Sequence, residues 1–210
     1  MVMSGQLFII SAPSGAGKTS LIKALRTQMP DLGLSVSHTT RPMRLGEVDG
    51  QHYHFVRVPQ FEALIEAHAF VEHARVFDNY YGTSKAAIQQ VLARGQDLIL
   101  EIDWQGAAQV RALFPAVRSI FILPPSLEAL AERLATRAQD DAKVIARRLA
   151  EARREMQEYP QYDYLIINDD FSHALSQLRS IFESERLRTP RQAEIEHLRL
   201  ENLAIAPKKP

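Results

Sequence analysis

Between the apolar run Leu7 to Ile10 and a helical stretch from Leu21 to Met29 lies the segment Ala12-Pro13-Ser14-Gly15-Ala16-Gly17-Lys18-Thr19. It fits the Walker phosphate-loop pattern, with alanine where the first glycine is usual. This segment constrains the fold more than any other, because its chemistry needs a strand to deliver the chain and a helix to receive it. Gly15 and Gly17 let the backbone turn with no Cβ in the way, so that successive amide N–H groups face inward as an anion nest. The helix that opens near Lys18 adds the positive end of its dipole. Lys18 then reaches the β and γ phosphates of a nucleoside triphosphate as a point charge. The Thr19 hydroxyl ligates magnesium, a cation that keeps most of its waters and bridges phosphate oxygens. The bland alternative is a glycine-rich turn with a stray lysine, and the flanking strand and helix argue against it.

The rest of the chain repeats the strand-then-helix rhythm. Leu98 to Ile102 precedes the helical stretch Ala107 to Phe114, and Ser119 to Leu123 precedes Leu127 to Leu134. That order predicts an α/β fold, a P-loop parallel sheet flanked by helices. Leu98-Ile-Leu-Glu-Ile102 is apolar on both faces until its end, as a buried parallel strand is. Tyr164 to Ile167 likewise emerges into Asn168-Asp169-Asp170, with a helix expected from near Phe171.

Two stretches break the rhythm. Residues 35 to 83 carry Gly46, Gly50, Pro59 and Gly82 between alternating segments such as His52-Tyr-His-Phe-Val56, which predicts a small insertion rich in strands. His52 and His54 share a strand face there, but no third ligand is close in sequence, so a solvated face is the better reading than zinc. Residues 126 to 158 are helical and densely basic around the break Gln139-Asp140-Asp141, the pattern of a helical flap. Glu151, Glu155 and Glu158 alternate with arginines there in a way that suits ion pairs within one helix, which argues against nucleic-acid binding. From Ser184 the sequence reads as one charged amphipathic helix, leaving room for a homo-oligomer.

Composition sets the outer limits. At 210 residues, 46% hydrophobic and 24% charged, the chain suits one globular domain with insertions. Lys plus Arg and Asp plus Glu stand at 25 each, so no global field draws it to nucleic acid or a membrane surface. The apolar run near the N-terminus is too short for a signal or a membrane span. Cysteine is absent, which excludes disulfides and thiolate metal sites and suits a cytoplasmic protein.

The insertion is where a second substrate would be recognised. Ser37-His-Thr-Thr-Arg41-Pro-Met-Arg44 sets two guanidiniums three residues apart beside hydroxyls, which suits a compact phosphate better than the alternative, a solvated basic turn. Tyr53, Tyr80, Tyr81 and Thr83 offer hydrogen bonds, or core packing. Glu72 is a carboxylate in an otherwise apolar stretch, expensive to bury unless paired and ordinary if it faces solvent. A purine with adjacent N–H donors, as guanine has at N1 and N2, would satisfy it through two parallel hydrogen bonds.

Taken together, Ser11 to Thr19, Ser37 to Arg41, Gly46 to Gly50, Asn79 to Gly82, Ile102 to Gly106, Phe121 to Ser126 and Asn168 to Asp170 closely resemble the bacterial guanylate kinases over nearly the whole chain. The resemblance implies transfer of the γ-phosphoryl group of ATP to GMP or dGMP. It implies a core of residues 1–34, 84–125 and 159–210, a small mixed β/α GMP-binding insertion at 35–83, and a helical lid at 126–158. It assigns Arg41, Arg44, Tyr53 and Tyr81 to the GMP phosphate, and Ser37, Glu72, Thr83 and Asp103 to guanine. Arg133, Arg137 and Arg148 become lid arginines at the ATP phosphates, with Lys18, Arg41, Arg44, Arg137 and Arg148 catalytic. Thr19 would hold magnesium, with Glu101 joining through water. Three positions depart from the family pattern: Glu101 where Asp is usual, Pro42 one place early, and Ala138 where Gly is usual. The same resemblance admits another class, a non-catalytic guanylate-kinase-like module that binds proteins. Such modules typically lack a working phosphate loop, and Lys18 and Thr19 are both present here.

No general base is expected. The second pKa of a phosphate monoester, about 6, leaves the acceptor mostly dianionic at neutral pH. The sequence must therefore supply cations to bring two anions in line, and closure of lid and insertion to exclude water.

Overall fold

A computed structural model describes residues 5–76, 78–136 and 142–203. Arg137, Ala138, the break at residues 139–141 and the terminal Ala-Pro-Lys-Lys-Pro lie outside the described residues. The chain runs β1 (Leu7–Ser11), α1 (Lys18–Gln28), β2 (Gly33–Leu34), β3 (His38–Thr39), β4 (His54–Phe55), α2 (Val58–Glu66), β5 (Phe70–Val76), β6 (Asn79–Ser84) and α3 (Lys85–Leu92). It continues through β7 (Leu98–Glu101), α4 (Trp104–Leu113), β8 (Arg118–Leu123), α5 (Leu127–Thr136), α6 (Ala142–Met156), β9 (Tyr164–Ile167), α7 (Phe171–Arg186), α8 (Thr189–Ile195) and α9 (His197–Asn202).

Among these residues, five parallel strands form one sheet in the order β2-β7-β1-β8-β9. β1 lies at its centre and is buried along its whole length. Its side chains alternate between two cores, as a period of two requires. Phe8 and Ile10 face α1 and α7 with Leu21, Leu25, Leu178 and Phe182, whereas Leu7 and Ile9 face α3 and α4 with Ile88, Ala107 and Val110. Among the described residues both faces are thus covered, which leaves the carboxyl end of the central strand as the place where a ligand can meet it. The sequence reading of β1, β7, β8 and β9 agrees with these strands to within a residue or so at each end.

The second sheet is mixed, in the order β4-β3-β6-β5. β3 runs parallel to β4 and antiparallel to β6, and β6 pairs antiparallel with β5. Helix α2 seals one side of it: Phe61 is fully buried against the rings of Phe70 and Tyr80, at 4.7 and 5.3 Å. On the other side Val71 of β5 enters the core that α4 shares with the first sheet. Helix α4 therefore fixes the spacing between the two sheets.

Two expectations need correction. The segment from His52 to Val56 is a strand only at His54–Phe55, because His52 turns its Nδ1 to accept the Val48 N–H at 3.0 Å. The C-terminal region is not one helix from Ser184. Helix α7 continues to Arg186, Pro190 opens the separate short helix α8, and α9 follows. Proline lacks the N–H and carries the ring that together end a helix and suit the first turn of the next. Arg186 and Arg191 both bond the buried Asp97 at the foot of β7, which pins this region to the core.

Candidate active site

The loop leaves β1 at Ser11 and re-enters a helix at Lys18. Gly15 and Gly17 have φ of 92° and 93°, the left-handed region that the nest geometry demands of glycine. At Gly17 space decides as well: a Cβ would lie 2.4 Å from Asn168 Nδ2, which donates to the Ala16 carbonyl at 2.7 Å and braces the loop from the end of β9. Ala12 is not among the residues of positive φ and packs on the core, so alanine at the first glycine position carries no strain. The Thr19 hydroxyl donates to Glu101 Oε1 at 2.5 Å, and Lys18 Nζ lies 3.8 Å from the same oxygen. Glu101 ends β7 directly beside Ile10 of β1, so neighbouring strands deliver carboxylate and loop to one spot.

Across a cavity of about 270 Å³ stands a second wall built from β5 and β6. Their register pairs Glu72 with Thr83 and Ala74 with Tyr81. All four fall on one face, spaced about 7 Å per two residues along the strands. The Thr83 hydroxyl donates to Glu72 Oε1 in a short bond, and Ser37 Oγ lies 3.1 Å from Thr83 Oγ1. The bland reading of Glu72 as a solvent-facing residue fails, because it is only 3% exposed. Burial, reinforced by the charge of Asp103, pushes its carboxyl up to about 7 despite the Thr83 hydrogen bonds. Asp103 lines the cavity and also caps α4, its Oδ1 accepting the Gly106 N–H at 2.9 Å.

Toward the other end of this wall, Arg44, Tyr53 and Tyr81 line the cavity. Burial and the charge of Glu101 push the Tyr53 phenol up to about 12, so it is a donor at any physiological pH. Arg41 does not line the cavity. It forms a bidentate pair with Glu47 at 2.7 and 3.0 Å and lies 5.4 Å from the Tyr53 ring centre. Glu47 also accepts the Arg44 N–H at 2.7 Å, so one carboxylate shapes the whole Arg41–Arg44 turn. Pro42 fits that turn, its carbonyl accepting from Arg41 at 2.7 Å, and Arg44 still reaches the cavity.

Helices α5 and α6, where the sequence reading put the lid, meet the loop. Leu130 and Leu134 of α5 pack with Ala152 of α6, and Arg148 donates to Ser14 Oγ at 3.1 Å. Arg133 is turned aside: its Nη2 donates to the Asn168 carbonyl at 3.0 Å, and it is not in the cavity wall. The charge pattern of the sequence puts Glu155 among ion pairs within one helix. Arg147 and Glu151 do pair, at 3.1 Å, but Glu155 faces inward and lines the cavity. Its carboxyl is raised to about 7, first by burial and then by the charge of Asp103, against the opposing effects of Lys18 and the Ser14 N–H. The available signal was spacing: Arg148, Ala152 and Glu155 stand at i, i+4 and i+7, one helix face. Glu47 had no such signal, since its role depends on a turn closing over six residues.

The comparisons agree with this geometry. The guanylate kinase family model matches residues 4–185. The guanylate kinase of Methylococcus capsulatus is 61% identical over 189 residues, covering 90% of this chain and 93% of that one. That of Sodalis glossinidius is 59% identical over 193 residues, covering 91% and 93%. The crystal structure of guanylate kinase from Anaplasma phagocytophilum superposes with a TM-score of 0.77 at 32% identity, over 97% of both chains. Likeness on this scale, over a span that includes both the loop and the facing wall, means that the chain belongs to the guanylate kinase family.

Proposed function

We infer that the chain is an ATP:GMP phosphotransferase, moving the γ-phosphoryl group of ATP to GMP or dGMP to give ADP and GDP. The observation that carries this is the single cavity with the phosphate loop on one wall and the Glu72–Thr83–Ser37 group on the other. Guanine N1–H and N2–H would meet the Glu72 carboxylate, and the spacing along β5 and β6 would then bring the GMP phosphate near Tyr81, Tyr53 and Arg44. Arg41, held by Glu47, would complete that subsite by sharing its guanidinium with the phosphate. The triphosphate would lie in the nest of Ala12 to Thr19, with Arg148 reaching it from the lid and Arg133 behind it; Arg137, proposed for the same phosphates, lies outside the described residues.

The acceptor dianion needs no base, so the residues act by position and charge. Lys18 and the arginines offset the repulsion between two polyanions. Guanidiniums aimed at the transferring oxygens favour the transition state over the ground state, because negative charge spreads onto those oxygens as the bond breaks. Thr19 and Glu101, meeting at 2.5 Å beside the loop, form the hard oxygen set that suits magnesium and its water shell. Magnesium bound there would neutralise charge on the β and γ phosphates. The longer Glu101 side chain would reach that shell from the next strand. We assign the core, insertion and lid to residues 1–34, 84–125 and 159–210, to 35–83, and to 126–158. The nucleotide substrates point to the cytoplasm, and the short helices α8 and α9 offer surface for a homo-oligomer.

Coupled ADP-release assays over GMP, dGMP, AMP, UMP and CMP test the reading. Turnover with GMP and dGMP, falling by about 10⁴ in kcat/KM with AMP, is expected for a site built to pair guanine N–H groups. Equal turnover of AMP would overturn it.

A further inference from the structure

Glu72 approaches helix α4 more closely than any side chain at position 106 would allow. Gly106 sits in the first turn of α4, and a Cβ built there would lie 2.5 Å from Glu72 Oε2, 3.0 Å from its Cδ and 3.3 Å from its Cγ. The backbone does not ask for glycine, because Gly106 is not among the residues of positive φ. The helix would be better served by alanine, since glycine loses more chain entropy in a helix. Nor does the cap ask for it: the Gly106 N–H that bonds Asp103 is present in any residue but proline. What remains is the space. Thr83 holds Oε1 from one side and the bare face of Gly106 receives Oε2 on the other.

We propose that Gly106 is a specificity-determining residue for the purine, setting the depth at which the Glu72 carboxylate is presented to the guanine N–H groups. The inference rests on Glu72 being the guanine acceptor. A methyl group at 106 meets the far end of a flexible side chain, not backbone, so the fold accommodates it and the carboxylate gives way. The carboxylate then moves off the Thr83 hydroxyl or into the cavity. Either displacement misplaces both acceptor oxygens for a planar pair of donors, and hydrogen-bond recognition falls off steeply with geometry. The phosphate loop, on the opposite wall, is untouched.

The test is a double-mutant cycle on Gly106→Ala and Glu72→Gln, with GMP, IMP and ATP as varied substrates. IMP keeps N1–H and lacks the N2 amino group. Gly106→Ala is expected to raise KM for GMP by about tenfold or more, to shrink the GMP over IMP preference toward that of Glu72→Gln, and to leave KM for ATP and the melting temperature near the parent values. If Gly106 acts through the carboxylate, adding Gly106→Ala to Glu72→Gln does nothing more; additive losses mean a merely structural role and overturn the proposal. Gly106→Ser carries the same expectation through its Cβ and serves should the alanine variant not fold. Retained GMP preference in Glu72→Gln would instead overturn the assignment of Glu72 itself. Retained preference in Gly106→Ala and Gly106→Ser, with Glu72→Gln impaired, would overturn only the role of Gly106.

Discussion

Glu72 is buried against a hydroxyl and faces the charge of Asp103, which leaves its carboxyl raised to about 7. Guanine bound there, as proposed, would change that balance, because two N–H donors stabilise the ionised form and not the protonated one. GMP binding should therefore release a proton from Glu72 near neutral pH. Calorimetric titration of GMP at pH 7 in buffers of differing ionisation enthalpy is expected to show release of about half a proton per site, since a group with a pKa near 7 is about half protonated there. Glu72→Gln should abolish the release, and an unchanged release in that variant would refute the assignment. The GMP phosphate, with its second pKa about 6, adds a smaller contribution common to both proteins. Asp103 shapes the same site less directly: it caps α4 and lends its charge, two roles that one side chain combines because the helix begins where the cavity ends.

At the scale of elements, helix α6 presents the loop with a cation and an anion on the same face. Arg148 bonds Ser14, and one turn beyond Ala152 the Glu155 carboxylate lines the cavity beside the same loop. A triphosphate entering the nest meets that carboxylate as a like charge. Removing it should help the donor: a like charge a few ångströms off in a partly hydrated site is worth about 1 kcal/mol, or about fivefold in affinity. Glu155→Gln is expected to lower KM for ATP by about that factor at pH 8 and by less at pH 6, where the parent carboxyl is largely protonated. KM for GMP should hold. A rise in KM for ATP would mean that Glu155 instead steadies the loop through the Ser14 N–H. What the sequence disclosed about these elements follows from distance along the chain. The phosphate loop, β1 and α1 are contiguous, and the alternation of Phe8 and Ile10 with Leu7 and Ile9 is written in period two, so both could be read directly. The inward turn of Glu155, the diversion of Arg133 to the Asn168 carbonyl and the capture of Arg41 by Glu47 depend on contacts that only the folded chain brings together. Charge pattern alone favoured surface pairs for Glu155, and tertiary burial overrode it.

For the molecule as a whole, the carboxylates divide into two groups with opposite effects on stability. Glu72 and Glu155 have folded-state values near 7, above the ordinary 4.5, so folding penalises their ionised forms. Their contribution is fully present below the unfolded value and is lost as pH rises through about 7. Glu47 and Glu185 go the other way. The Arg41 hydrogen bonds hold Glu47 below the usual carboxylate range; Glu185 stays below it despite its burial, through hydrogen bonds from Tyr164 and Arg118. Their contribution is present above the ordinary value and is lost as pH falls below it. On these four carboxylates the free protein should accordingly be most stable at about pH 4.5 to 5, near their unfolded value, and lose stability on both sides. For Glu72 the gap between 4.5 and about 7 corresponds to about 3 kcal/mol of stability lost between pH 5 and 8. Glutamine at 72 removes that dependence, so Glu72→Gln should lose less stability than the parent on going from pH 6 to 8 when both are unfolded in urea without nucleotide. A parent whose stability instead rises steadily from pH 6 to 8 would show that Glu72 is ionised in the free protein at little cost. Saturating GMP should move the parent's maximum toward pH 7 or above if, as proposed, the bound guanine pairs with the ionised carboxylate and so reverses the sign of its contribution. In Glu72→Gln the nucleotide should raise stability with no shift attributable to that carboxylate, which separates the acceptor at residue 72 from the phosphate subsite at the other end of the same two strands.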